Sequence, residues 1–220
     1  FHITNESSDF YNDGHGLVKK INKDTCPEII TSFISQVVRM YATKYFPDEI
    51  CMPSDIDMLI LNKEWFTEQI KDISDNDLII MDSKAYDLER PECRAHNESC
   101  ENRYPICYNI AKGSTFNKIL NTDRPFSQYV YELSLLKLGW GTDELYFGDQ
   151  IHTKNHGINI IKLIRNYTTP WAAEKRINRD ILYDENHLKT GYYIDFHCPR
   201  PYSDYKIEIN KIINTSKKYV

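Results

Sequence analysis

No two of the six cysteines (Cys26, Cys51, Cys93, Cys100, Cys107 and Cys198) stand two residues apart, which removes the spacing of a zinc knuckle or a thioredoxin-type dithiol. Long apolar runs are missing as well. The longest, such as Ile158 to Ile164, are broken by polar residues and fall far short of the ~20 needed to cross a bilayer. Positive charge is not in excess: 27 Lys+Arg against 32 Asp+Glu give a net charge of -5 and a pI near 5.8. With no basic field to hold a phosphate backbone, a nucleic-acid partner is not expected. The same charge argues against a metal-dependent nuclease that uses Asp55 and Asp57. No internal repeat and no low-complexity tract is found.

The 220 residues (26.0 kDa), 41% hydrophobic, suit one domain with a sizeable core. Aromatics are plentiful, with 16 Tyr, 9 Phe and 3 Trp. Tyr offers a flat face with a hydroxyl handle suited to sugars and other polar ligands, although core and loop filling is the simpler account. The chain begins with Phe1 and has no signal-like apolar run, so it is expected to be processed or part of something longer. Sequons at Asn5, Asn97, Asn166 and Asn214 exceed the roughly two expected by chance and lean towards secretion or the lumen of the secretory pathway. A cytoplasmic, viral-type enzyme is the alternative. In an oxidising compartment Cys93, Cys100 and Cys107 are expected to pin the polar Ser83 to Arg103 loop, at least two of them in a disulfide.

Residues 1–24 show no period and read as an extended lead-in, followed by one domain over 25–220. Thr25 and Glu28 form a capping box for a helix reaching Phe46, with Ile29, Phe33, Val37 and Tyr41 on its apolar face. Glu49 to Ser54 reads as a strand, Met58 to Leu61 as an apolar segment, and Asn62 as the cap of the next helix. Leu78 to Met81 reads as a buried strand. Ser114 is the expected cap of a helix to Leu120, a second helix runs from Ser127 until Gly139 stops it, and Thr142 is the expected cap of a third. Ile158 to Ile164 and Tyr192 to Phe196 read as strands, and Tyr205 to Ile213 as a terminal helix. This alternation predicts an α/β layered domain.

Three constellations carry chemistry. Two Asp-x-Asp pairs occur, Asp55/Asp57 and Asp75/Asp77, where the composition yields about 1.5 by chance. Context separates them. Asp75/Asp77 lies in a polar turn, whereas Asp55/Asp57 is wedged between Ile50-Cys51-Met52 and Met58-Leu59-Ile60-Leu61, where a carboxylate must be paired or coordinated. Two oxygen ligands two residues apart at a strand end suit a divalent cation and a diphosphate. The second constellation is Gly139-Trp140-Gly141-Thr142-Asp143-Glu144, in which glycines admit a ligand, Trp140 offers a stacking face and two acids follow. A helix stop followed by acids that favour the next macrodipole explains it as well. The third, Asp195-Phe196-His197-Cys198-Pro199-Arg200, puts a His just past a strand and an Arg three residues on, suited to a metal and a phosphate.

Ser35-Gln36 and Arg39, Ser54-Asp55-Ile56-Asp57-Met58, Tyr108-Asn109-Ile110-Ala111-Lys112-Gly113, Gly139 to Glu144, and Asp195-Phe196-His197 with Arg200-Pro201 occur in the order found in GT-A-fold glycosyltransferases. The set resembles the small glycosyltransferase domains of large algal DNA viruses and their protist relatives, over residues 30–202. The resemblance implies a GT-A-like mixed sheet flanked by helices and a nucleotide-sugar donor whose diphosphate is held by manganese or magnesium. Asp55, Asp57 and His197 would ligate the metal, and an imidazole ligand suits manganese better than magnesium. Ser54, Asp55, Arg39, Lys112, Gly113 and Arg200 would line the donor. Asp143 would be the base of an inverting displacement, Glu144 would position a glycan acceptor, and Trp140 and Gly141 would receive its sugar. GT-A domains begin with a strand-helix-strand unit for the nucleotide base, which residues 1–24 lack. A preceding segment, a partner chain or a rearranged N-terminus is therefore expected on the apolar face of the Thr25 to Phe46 helix. The alternative to an enzyme is a catalytically silent glycosyltransferase-like binding or structural subunit.

Overall fold

The computed structural model of the chain describes residues 2–3, 20–21, 26–86, 103–154, 156–169 and 172–220 and arranges them as a mixed α/β protein. Strands β1 (His2–Ile3) and β2 (Lys20–Ile21) pair in parallel within the presumed lead-in. Strands of two residues are too short to leave an alternation in the sequence, which is why the lead-in reads as aperiodic. Helix α1 (Thr31–Tyr41) starts later than the capping box implies. Thr25 lies outside the described residues, and Pro27 instead sits in a turn in which Ile29 N donates to Cys26 O. The helix runs on into a 3₁₀ turn, Ala42–Tyr45.

Next come β3 (Ile50–Cys51), β4 (Met58–Ile60), α2 (Lys63–Ile70) and β5 (Asp77–Ile80). Asn62 caps α2 as its position predicts, its side-chain oxygen accepting from Trp65 N at 3.1 Å. Strand β6 (Ile110–Lys112) leads directly into α3 (Gly113–Leu120), whose first turn has no side-chain cap. Ser114 is inside that turn rather than capping it, its N–H bonded to Pro47 O. Helix α4 (Phe126–Ser134) ends before Gly139, because Lys137 already takes a left-handed conformation (φ 55°). Gly139–Gly141 is a 3₁₀ turn leading into α5 (Thr142–Thr153), and the Thr142 hydroxyl donates back to Gly139 O at 2.7 Å instead of capping the helix. The chain closes through β7 (Asn159–Lys162), β8 (Tyr167–Thr169), β9 (Ala172–Ala173), β10 (Arg176–Ile177), α6 (Glu185–Lys189), β11 (Asp195–His197) and α7 (Tyr202–Ser216).

Two sheets organise the core. The larger has strand order β3-β6-β5-β7, with β5 and β7 parallel and the other pairings antiparallel; the smaller has order β10-β11-β4. Strand alternation sets the layers. Leu78 and Ile80 pack with Ala111 against α1, α3, α4 and α5, while Ile79 and Met81 turn the other way to meet Met58, Phe66 and Ile194. Phe196 and Leu61 face α7 through Ile209 and Ile212. Helix α1 leaves no uncovered apolar stripe: Ile34, Val37 and Tyr41 are buried, and Ile29 and Phe33 pack against the same cluster. The expectation that this face awaits a preceding segment or a partner chain is thus corrected, since α3, α4 and α5 cover it. Gly113 is fixed by close approach, because a Cβ there would lie 2.0 Å from the Phe46 carbonyl oxygen. Among the described residues, no helix is long and apolar enough to cross a membrane.

Four buried charges join the sheets. Asp195 on β11 is wholly buried, and Arg165 grips it with two 3.0 Å bonds, one to each carboxylate oxygen. Arg176 adds bonds of 3.1 and 2.7 Å to one of those oxygens and reaches Asp82, just past β5, at 3.4 Å. Arg165 Nε lies 3.8 Å from Asp82. Burial raises the Asp195 carboxyl, but the two guanidiniums outweigh it and hold the group at about 2, below its ordinary 3.8. A lowered folded-state value contributes stability above the ordinary value, and that contribution is lost as pH falls through the folded one. Asp195→Asn, which strands two guanidiniums in the interior, is expected to cost about 3–5 kcal/mol in urea unfolding at pH 7. Wild type should lose its advantage over this variant as pH falls from 3.8 to about 2; a gap that stays constant with pH would contradict the assignment.

Candidate functional site

The segment from residue 52 to 57 crosses from β3 at the edge of the larger sheet to β4 at the edge of the smaller one. Tyr108 N donates to Pro53 O at 2.8 Å, Met58 N to Asp55 O at 3.1 Å, and Cys198 N to Asp57 O at 2.7 Å, so the crossing is held at both ends. Ile56 is fully exposed at its tip, and the two carboxylates beside it turn inward to different partners.

Asp57 is 8% exposed. Its Oδ2 accepts from Arg179 Nη2 at 2.8 Å and from Arg200 at 2.8 Å (Nε) and 2.6 Å (Nη2), and lies 3.5 Å from His197 Nε2. Its Oδ1 is buried without a hydrogen-bond partner. The antiparallel pairing of Met58 with His197 brings these distant residues together. Burial opposes ionisation here, but hydrogen bonds and charge from His197 and Arg200 outweigh it and hold the carboxyl well below its ordinary value.

Asp55 faces another way. One oxygen pairs with Arg39 and the other accepts from the Cys107 thiol at 2.8 Å. Arg39 bridges from α1 to Asp143 in the first turn of α5, its Nε 3.0 Å from that carboxylate. Asp143 is 1% exposed, and its remaining oxygen accepts from Glu144 N at 3.0 Å. Glu144 accepts from Tyr86 OH at 2.7 Å and from Arg103 at 2.9 and 2.6 Å. Burial and the neighbouring Asp143 charge push the Glu144 carboxyl above its ordinary value, against the pull of Arg103. The Trp140 side chain stands 72% exposed, while its carbonyl accepts from buried Gln36 on α1. A cavity of about 290 Å³ opens beside Arg39, bounded by Ala42, Phe46 and residues 49–53.

The expected residues therefore divide into three places. Asp57, His197 and Arg200 form one cluster; Asp55, Arg39, Asp143 and Glu144 with Trp140 and Gly141 form a second that continues from it along residues 55–57. Lys112 and Gly113 join neither. Lys112 Nζ pairs with Asp75 at 2.7 Å, and Gly113 makes room for the Phe46 carbonyl. Gly141 is filled from behind by Arg103, 3.2 Å from where a Cβ would stand. The Ser54 hydroxyl turns to its neighbour, reaching Asp55 O at 3.3 Å. Among the described residues no three or more His, Cys, Asp or Glu side chains are grouped to hold a metal, because Asp55 is committed to Arg39 and Cys107. Asp77, of the second Asp-x-Asp pair, accepts from Ser74 N at 2.7 Å and closes its own turn.

Sequence reasoning missed Arg179, Arg103, Tyr86 and the Asp55 partner Cys107. None has a local signal: each meets its partner across a long stretch of chain. Cys107 is a free thiol, so the expected disulfide among Cys93, Cys100 and Cys107 could join only Cys93 and Cys100, which lie outside the described residues. No family model, curated protein or solved structure matches this chain. Burial raises the Cys107 thiol to about 12. At pH 8 only about one molecule in ten thousand should carry the thiolate. Peptide mapping after iodoacetamide treatment of folded protein at pH 8 should find Cys107 unmodified, and modified once urea is added; rapid labelling of the folded state would contradict this environment.

Proposed function

We propose that the chain is a metal-dependent glycosyltransferase of GT-A type that moves a sugar from a nucleoside-diphosphate donor to a glycan or protein-linked glycan acceptor, with inversion. The observation that carries this reading is the buried Asp57 carboxylate, which keeps Oδ1 without a partner while His197 Nε2 stands 3.5 Å from Oδ2. A buried carboxylate with one orphaned oxygen and an imidazole near the other offers two ligands to a divalent cation, manganese better than magnesium. Such a cation, when bound, would neutralise the diphosphate leaving group. Asp57 and His197 would supply the protein ligands and the diphosphate the others, as is usual where phosphates share a metal. Asp55, with both oxygens committed, acts as an anchor for Arg39, which flanks the 290 Å³ cavity proposed for the nucleoside.

The acceptor side rests on Trp140, whose exposed indole is proposed to stack on sugar. For proton acceptance the geometry supports Glu144 over Asp143. Both are paired with an arginine, Asp143 with Arg39 and Glu144 with Arg103, but Asp143 is 1% exposed, whereas the Glu144 side chain is 15% exposed and its carboxyl is raised, nearer the value a general base needs. A second reading, a silent glycosyltransferase-like scaffold, is favoured by the guanidiniums of Arg179 and Arg200 closing on Asp57. Hydrolysis of nucleotide-sugar donors in the presence of manganese would count against the scaffold.

Calorimetry with UDP and GDP is expected to show binding that weakens by at least about 10²-fold when EDTA removes the metal, because the diphosphate then loses the cation that would neutralise it. Equal affinity with chelator would overturn the metal-dependent reading. Glu144→Gln is expected to lower turnover by about 10² or more while leaving donor affinity unchanged. If Asp143→Asn alone does so, the proton acceptor is Asp143.

A further inference from the structure

The proposed site accounts for Asp57 and His197 but not for the pair of guanidiniums on Asp57. Arg165 and Arg176 show what a structural arginine looks like in this chain: both are nearly sealed from solvent and gripped by Asp195. Arg179 and Arg200 are different. Their side chains are 45% and 62% exposed, and each extends from outside the regular elements, Arg179 after β10 and Arg200 before α7. Both converge on one oxygen of a carboxylate that is itself 8% exposed, leaving the other oxygen unpartnered. Two positive groups on one carboxylate oxygen are more than that charge needs. Long arginines rooted in solvent can leave at little cost in packing.

We infer that Arg179 and Arg200 form a latch that exchanges between two anions: the Asp57 carboxylate at rest, and a nucleoside diphosphate once a divalent cation takes Asp57. The inference rests on the metal-dependent reading of the site. A cation approaching Asp57 alone meets two like charges within a few ångströms and must drive both into water, so the latch opposes metal binding by itself. When a diphosphate arrives with the cation, its oxygens receive both guanidinium forks, and the displaced arginines gain a better-matched acceptor than water. Metal and diphosphate then bind cooperatively, each raising the affinity of the other by the same factor. The arginines therefore act with opposite sign on the two ligands. A purely structural ion pair would weaken both or neither.

The test measures Mn²⁺ binding without nucleotide, from the loss of the free-ion paramagnetic resonance signal, and GDP and UDP binding at saturating Mn²⁺ by calorimetry. Both use the intact chain. Arg179→Ala/Arg200→Ala should bind Mn²⁺ alone about fivefold or more tighter and bind the diphosphate about fivefold or more weaker, the size expected for lost charge-assisted bonds. Lys71→Ala/Lys211→Ala removes the same two positive charges at surface pairs with Glu68 and Glu185 and should move neither affinity. Arg179→Lys/Arg200→Lys keeps the repulsion but not the forks, and should weaken diphosphate binding without tightening Mn²⁺. If wild type binds Mn²⁺ and a diphosphate but the alanine variant shifts both in the same direction, or neither, the latch is overturned while the glycosyltransferase reading stands. If wild type binds neither Mn²⁺ nor either nucleotide, both are overturned.

Discussion

The arrangement depends on the four charges sealed between the sheets. Asp195 belongs to the smaller sheet and Asp82 lies two residues past β5, an inner strand of the larger, and Arg165 and Arg176 answer both. Hydrophobic contacts between the same sheets, Met58 and Ile194 against Ile79 and Met81, hold them together without selecting one register. Directional bonds do select. A slip of one residue on β11 would turn Asp195 towards α7 and bring Phe196 into the charged layer. The ion pairs thus serve specificity more than net stability, as expected where desolvation offsets most of the Coulombic gain.

The site follows from that docking. Because β4 and β11 are held against the larger sheet, the 52–57 crossing has one path, and its two aspartates are delivered to opposite sides: Asp55 towards α1 and α5, Asp57 towards the strand-end His197. Charge pairing continues outward from the sealed quartet to the half-open Arg39 bridge and then to the exposed arginines on Asp57. Solvent exposure of the arginines rises along the same direction, so the groups placed to exchange partners are those that meet solvent.

What could be read from the sequence was what is local. Strands β5 and β7 sit within apolar runs, α2 starts where Asn62 predicts, and the terminal helix extends through the expected Tyr205 to Ile213 region. The Asp55/Asp57 pair stood out because its apolar flanks are contiguous with it. His197 stood out because it follows a strand. The illegible part has a common cause. A glycine looks the same in sequence whether it admits a ligand or, like Gly113, a neighbouring carbonyl. An acid in a first helical turn looks the same whether it faces an acceptor or, like Asp143, is locked to an arginine on another helix. Lys112 and Arg179 show that a cation's partner is set by topology: Lys112 was expected at the donor and pairs with Asp75, whereas Arg179 had no motif and reaches Asp57.

The pairing of β4 with β11 also bears on how the chain comes to fold. Met58 is synthesised early and can find no strand partner on its free side until His197 has been made, and β5 must likewise wait for β7. Contacts so distant in sequence close large loops and are slow to form. During synthesis the helical layer of α1, α3, α4 and α5 can assemble around Leu78 and Ile80 while the opposite face of the sheet, with Ile79 and Met81, stays open. A nascent chain halted before β11 would therefore display an apolar sheet face and two arginines, Arg165 and Arg176, still without Asp195, the state in which such a protein most needs a chaperone.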